Sequence, residues 1–162
     1  MLFFLFNKSI LLYQVLIKFY KFFFLNISFI IGLDGISITL ILLSSSLILV
    51  CFLHNWYLKY KIKLYIFIIY LLFIFLINLF TTLDLFFFYI FFEGLLIPTF
   101  FLIGIWGSRS RKIYAAYLFF FYTLCGSAFI LISIFLIYLN KGSSNLDLFL
   151  YSFFFESREI FF

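Results

Sequence analysis

Residues 83–105 read LDLFFFYIFFEGLLIPTFFLIGI, an apolar run long enough to cross a bilayer with one carboxylate, Glu93, inside it. At 1.5 Å of rise per residue, Glu93 lies roughly 13 Å along a helix from Asp84, close to the midplane of a hydrocarbon core about 30 Å thick. An ionisable group at that depth costs at least about 2.5 kcal/mol on insertion scales, so such residues face a protein interior or a water file. Five residues on stands Pro98, the only proline of the chain. It has no N–H to give the carbonyl of Gly94, which leaves a kink and a free acceptor beside the acid. A protonatable group, a bare carbonyl and room for water suit proton handling. A buried acid satisfied by a neighbouring helix is the other reading of the same residues.

Three further apolar runs set the architecture. The chain has 162 residues, 68% of them hydrophobic and only 10% charged, and its mean hydropathy is +1.31. Soluble domains carry about 25% charged residues, so the class is an all-α, polytopic transmembrane helix bundle. Four strong spans are expected at 30–53, 64–80, 84–105 and 113–139. Residues 1–29, broken by Lys8, Lys18 and Lys21, are expected to form a weak N-terminal helix or an interfacial segment. Residues 140–162 form a polar and amphipathic tail, with an apolar piece at 148–155 too short to cross. The 31 phenylalanines require no stacking function, since lipid accepts Phe as readily as Leu; a palette rich in Phe, Ile, Tyr and Lys fits an AT-rich organellar gene. No Arg-rich, acid-poor transit segment precedes the first apolar residues, as expected for a protein made inside the organelle that uses it.

The net charge of +5 sits in short loops, a topology signal and not a nucleic-acid surface. The loop 54–63 carries His54, Trp56, Lys59, Lys61 and Lys63; the loop 106–112 carries Trp106, Arg109, Arg111 and Lys112. Two crossings separate these basic loops, so they share a side, the matrix or cytoplasmic one. Asp34 and residues 81–84 fall on the other. His54 reads as a headgroup-level residue. Asp34 or Ser37 is placed to cap the span that follows, Asp84 to cap the Glu93 helix, and Gly107 to close that helix in a left-handed turn, with Arg109, Arg111 and Lys112 complementing its C-terminal dipole. Ser44, Ser45 and Ser46, and the pair Gly126 and Ser127, are small residues suited to close helix contact and to hydrogen bonds across it. Cys51 and Cys125 have neither disulfide nor metal-ligand spacing.

The stretch YIFFEGLLIPTFFLIGIWGSRSRKIYAAYLFFFYTLCGS, with GLDGIS at 32–37 and GSSNLD and FFESREI in the tail, resembles subunit 4 of mitochondrial NADH:ubiquinone oxidoreductase, an antiporter-like membrane-arm family of respiratory complex I. The likeness runs over about residues 28–162, and FFExxLIP followed by WGSRxRK carries it. The resemblance implies a multi-pass protein of the mitochondrial inner membrane, with the loops 54–63 and 106–112 on the matrix side. It implies a part in a proton channel coupled to NADH oxidation by ubiquinone. The family's intramembrane glutamate falls on Glu93, supported here by Gly94 and Pro98. Its usual partner is a lysine on a later helix, beyond Phe162. A split subunit is therefore expected, in which a second chain supplies the remaining helices and the lysine, among other membrane-arm subunits and lipids; without that cation the acid stays neutral.

No redox site, cofactor site or metal site is expected in this chain, because it has no GxGxxG fingerprint and no cysteine framework. NADH, FMN, iron–sulfur clusters and ubiquinone are expected elsewhere in the complex. Two alternatives stand beside the proton-channel reading: a structural, non-conducting filler of the membrane arm, and an independent small transporter. One half-site without inverted repeats counts against the last.

Overall fold

The computed structural model describes residues 15–22, 27–54, 60–142 and 144–146. In chain order they form strands β1 (Val15–Phe22) and β2 (Ile27–Leu33), then helices α1 (Gly35–His54), α2 (Ile62–Thr81), α3 (Leu85–Trp106) and α4 (Lys112–Lys141). All four helices are long and apolar enough to cross a membrane. Each packs on its neighbour in sequence, α1 on α2, α2 on α3 and α3 on α4, as short connections between antiparallel spans require. The helix ends lie within a few residues of the expected runs, the largest difference being at α1, which begins at Gly35 and not at residue 30.

That shift has a cause in the preceding segment. Where a weak N-terminal helix or interfacial segment is expected over 1–29, the described parts of it pair with residues up to Leu33 as an antiparallel ribbon. Its register runs from Val15 opposite Leu33 to Phe22 opposite Ile27, with an irregularity between Lys18 and Tyr20. β-Branched and aromatic residues dominate both strands, and Gly32 disfavours a helix through the end of the second. The free edge of β2 finds a partner in the turn between α2 and α3. The Leu83 N–H donates to the Ile30 carbonyl at 3.0 Å, and Ile31 bridges Thr82. Phe29 then lies against Phe87 and Phe91 of α3, with ring centroids 4.7 and 6.1 Å apart.

The same turn is tied on its other flank. Leu85 N–H donates to the Ser144 carbonyl and Leu146 N–H to the Leu83 carbonyl, each at 3.1 Å, and Asp84 bridges Asn145. One end of the molecule is therefore a junction of β2, residues 82–84 and residues 144–146. At the opposite end the Trp106 indole donates to the Tyr60 carbonyl at 3.1 Å and its ring meets Tyr65 at 5.2 Å. The described basic residues Lys61, Lys63, Arg109, Arg111 and Lys112 lie at this second end and Asp34 and Asp84 at the first, the arrangement that span counting requires.

Local chemistry sets the helix ends. At α1 the Asp34 N–H donates to Ser37 Oγ at 2.7 Å, and the Asp34 carbonyl accepts from Ile38 N–H at 3.0 Å; Asp34 is the cap by position and Ser37 the side chain that reaches back. Asp84 Oδ1 accepts from Phe86 N–H at 3.0 Å and caps α3, while Gly142, at φ 69°, closes α4 in the left-handed conformation. The left-handed turn expected at Gly107 is not there: its φ is −55°. Glycine is needed at that position for space, since a Cβ would stand 2.4 Å from the Ile103 carbonyl oxygen and 2.9 Å from Lys112 Cβ.

The serine run also differs from expectation. Ser44, Ser45 and Ser46 donate to the carbonyls three residues back, Ile41, Leu42 and Leu43, at 2.7–2.9 Å, and only Ser44 is buried. In apolar surroundings a hydroxyl satisfies its donor within its own turn before it can bond across a contact.

Candidate functional site

Glu93 is the ninth residue of α3 and lies about 12 Å from the Asp84 end and about 20 Å from the Trp106 end. The helix around it has two working faces. Phe91 and Gly94 face α2: Phe75 reaches Phe91 with ring centroids 6.4 Å apart, and a Cβ on Gly94 would stand 2.9 Å from the Phe75 ring edge. The absent side chain at Gly94 is what lets that ring rest on the α3 backbone. Glu93 faces α4 instead, as does Phe100 seven residues later, whose ring lies 5.3 Å from Tyr117 and 5.5 Å from Phe120. The acid therefore sits, half-buried, in the α3–α4 seam.

Its partner across the seam is Ser127, which is 1% exposed. Ser127 Oγ lies 3.5 Å from Glu93 Oε1 and also donates to the Leu124 carbonyl at 3.0 Å. One hydroxyl proton faces two acceptors, and the carbonyl is the nearer. A hydroxyl so placed can serve either form of the acid, donating to a carboxylate or accepting from a carboxylic acid while its own proton rests on Leu124. Tyr89, one turn before Glu93, interacts through its phenol with the side chains of both Glu93 and Ser127. Three oxygen-bearing side chains thus meet in an otherwise apolar seam.

Pro98 is buried within α3. Its ring nitrogen gives nothing to the Gly94 carbonyl, one residue from Glu93. The next carbonyls along do better, because Thr99 Oγ1 back-bonds to those of Leu95 and Leu96, both at 3.0 Å. The backbone bond that Pro98 cannot make is the one to the carbonyl beside the acid.

The cations expected at the loops lie away from this cluster. Lys63 is in the first turn of α2 and exposed, Arg109 and Arg111 are exposed between α3 and α4, and Lys112 Nζ donates to the Ile105 carbonyl at 2.7 Å, complementing the α3 C-terminus as expected. Lys61, at φ 49°, carries its ammonium 5.2 Å from the Tyr60 ring centroid. His54 is the last residue of α1, with nothing described of its side chain, and Lys59 lies outside the described residues, as does the apolar piece at 148–155. Lysines within the described helices occur only at their first or last turn.

Sequence reasoning groups Gly94 and Pro98 with Glu93; in the structure Gly94 meets Phe75 of α2, whereas Glu93 meets Ser127 of α4. It pairs Gly126 with Ser127 as a packing contact, whereas Gly126 is exposed with nothing within 4 Å of a Cβ built on it. Ser127 and Tyr89 are the neighbours that reasoning does not assign to the acid. The spacing of Tyr89 from Glu93, four residues on one helix, is a signal that could have found the first of the pair.

Comparison with known proteins bears on this arrangement. The family model described as NADH:quinone oxidoreductase/Mrp antiporter, TM, matches residues 82–162, which include α3 and α4. Proteins named NADH-ubiquinone oxidoreductase chain 4 are similar over most of the chain. That of Chondrus crispus is 43% identical over 157 residues, 96% of this chain and 32% of the relative. Those of Marchantia polymorpha and Arabidopsis thaliana are each 46% identical, over 83% and 84% of this chain and 28% of each relative. The chain spans about a third of the length of the curated relatives it matches.

Proposed function

Because this chain belongs to the NADH:quinone oxidoreductase/Mrp antiporter transmembrane family, we propose that it is part of the proton-translocating membrane arm of respiratory complex I. In this reading it lies in the mitochondrial inner membrane with the loops 54–63 and 106–112 on the matrix side. Its neighbours are other membrane-arm subunits. The names of the relatives support the assignment, as does the placement of Lys61, Lys63, Arg109, Arg111 and Lys112 at one end of the helix array.

The observation that carries the proton-handling role is the position of Glu93: mid-span, in the seam between α3 and α4, with Ser127 Oγ 3.5 Å away. Glu93 takes up a proton from water held near the Gly94 carbonyl, which Pro98 leaves without its helical N–H partner, and releases it when the surrounding charge changes during turnover. The four described spans hold no cation in their interiors, so a positive partner for an ionised Glu93 comes from outside these four helices. Electron transfer, with its NADH, FMN, iron–sulfur clusters and ubiquinone, belongs to other subunits. This chain contributes to the enzyme as a non-redox subunit.

One observation favours a second reading. The polar side chains that contact Glu93 among the described residues, Ser127 and Tyr89, carry no charge in their ordinary forms. They could simply satisfy a neutral acid in a non-conducting filler of the arm. Membership itself is tested by tagging the chain and following it through native separation of solubilised membranes. Co-migration with NADH:ubiquinone reductase activity is expected; migration at low mass, apart from that activity, would revive an independent transporter.

A further inference from the structure

Two features of the α3–α4 seam have no use in packing alone. Ser127 is 1% exposed in an apolar contact, where an alanine would fill nearly the same volume. Its oxygen stands between two acceptors, Leu124 O at 3.0 Å and Glu93 Oε1 at 3.5 Å. A serine needing only to hide its donor would be satisfied by the carbonyl, as Ser44, Ser45 and Ser46 are in α1. Those three have no acid beside them.

We propose that Ser127 is a positioning residue for Glu93, a hydroxyl rotor that gives the acid a hydrogen-bond partner in both of its protonation states. This rests on the reading of Glu93 as a proton carrier. With Glu93 protonated, the Ser127 proton stays on the Leu124 carbonyl and Oγ accepts from the carboxylic O–H. When Glu93 gives up its proton to the water file, Ser127 O–H turns to donate to Oε1, and the Leu124 carbonyl keeps its helical N–H partner. No proton passes through Ser127; it turns through one rotation and returns. The phenol of Tyr89, four residues before Glu93 on α3, interacts with the side chains of both Glu93 and Ser127. Among the described residues no charged group reaches Glu93 from α2 or α4. Lys63 and Lys112, in the first turns of those helices, sit toward the Trp106 end, roughly 20 Å along the axis.

The test uses the complete complex in sealed proteoliposomes with Ser127→Ala, Ser127→Thr, Glu93→Gln and the double variant Ser127→Ala/Glu93→Gln. Two readouts are taken: protons moved per electron, and the infrared carboxylic C=O band that Glu93→Gln removes. Ser127→Ala is expected to lower the number of protons moved per electron and to shift that band, because the acid loses a hydrogen-bond partner. Ser127→Thr, which restores the hydroxyl, is expected to recover both. The double variant is expected to be no worse than Glu93→Gln alone, because the serine acts only through the acid. A wild-type ratio and an unmoved band in Ser127→Ala, beside a lowered ratio in Glu93→Gln, would overturn the positioning role and leave the proton-carrier reading standing. Additive losses in the double variant would overturn it too. An unchanged ratio in Glu93→Gln would overturn both.

Discussion

Removal of the Asp84 side chain tests how the Glu93 helix is held at its start. Asp84 is 0% exposed, and its Oδ1 accepts from Phe86 N–H in the first turn of α3 at 3.0 Å. In exposed hosts the loss of such a cap costs about 1 kcal/mol, because water takes over the orphaned N–H. Water has poor access here: β2 lies on one flank of the turn and residues 144–146 on the other, tied by bonds of 3.0–3.1 Å. An unsatisfied buried donor costs about 1–3 kcal/mol, so Asp84→Ala is expected to destabilise the junction by about 2–3 kcal/mol. That is on the order of a 30-fold or larger shift in the equilibrium that keeps it closed. Asp84→Asn keeps an acceptor oxygen in the same place and is expected to cost less than about 1 kcal/mol. The assay is the thermal midpoint and assembled fraction of the complex with each variant. Equal losses in Ala and Asn would refute the capping argument and assign the effect to charge; no loss in Ala would refute the junction.

Three further outcomes follow from the packing. Gly94→Ala must displace the Phe75 ring from 2.9 Å; overpacking of about 1–3 kcal/mol, less about 1 kcal/mol of helix propensity, leaves a net loss of roughly 1 kcal/mol. A Phe75→Leu background should remove that loss in a stability assay. Ser144 Oγ is buried with no hydrogen-bond partner among the described residues, at the edge of an apolar groove of about 460 Å³, so Ser144→Ala should be neutral or stabilising by about 1 kcal/mol in thermal denaturation. Single cysteines at Ser108 and at Asn145, in a background lacking Cys51 and Cys125, should label from opposite faces of sealed inner-membrane vesicles, Ser108 from the matrix side. Labelling from one face would contradict the topology.

The spans were legible because hydropathy over about 20 residues is a local property, and so were the caps at Asp34 and Asp84, where a short polar side chain meets the first turn of its own helix. Glycine at a helix end suggests a left-handed turn at Gly107; only the approach of the Ile103 carbonyl and Lys112 Cβ shows that space, not φ, demands glycine there. The ribbon of β1 and β2 could not be read from its residues alone, since Ile30 and Ile31 are held extended by the turn at 82–84, some fifty residues later. The same limit applies to the site. Glu93 announces itself as a charge at mid-span, and Pro98 frees a carbonyl by its own covalent structure. Ser127 is 34 residues away from the acid on another helix, and its register against α3 is set by packing such as Phe100 on Tyr117 and Phe120.

The central claim is that the carboxyl of Glu93 carries a proton, and the ratio of protons moved to electrons passed measures it most directly. In the assembled complex, Glu93→Gln keeps the shape and loses the titratable group, and the ratio is expected to fall; Glu93→Asp, which keeps the acid on a shorter stem, is expected to retain part of it. A wild-type ratio in Glu93→Gln would contradict the account.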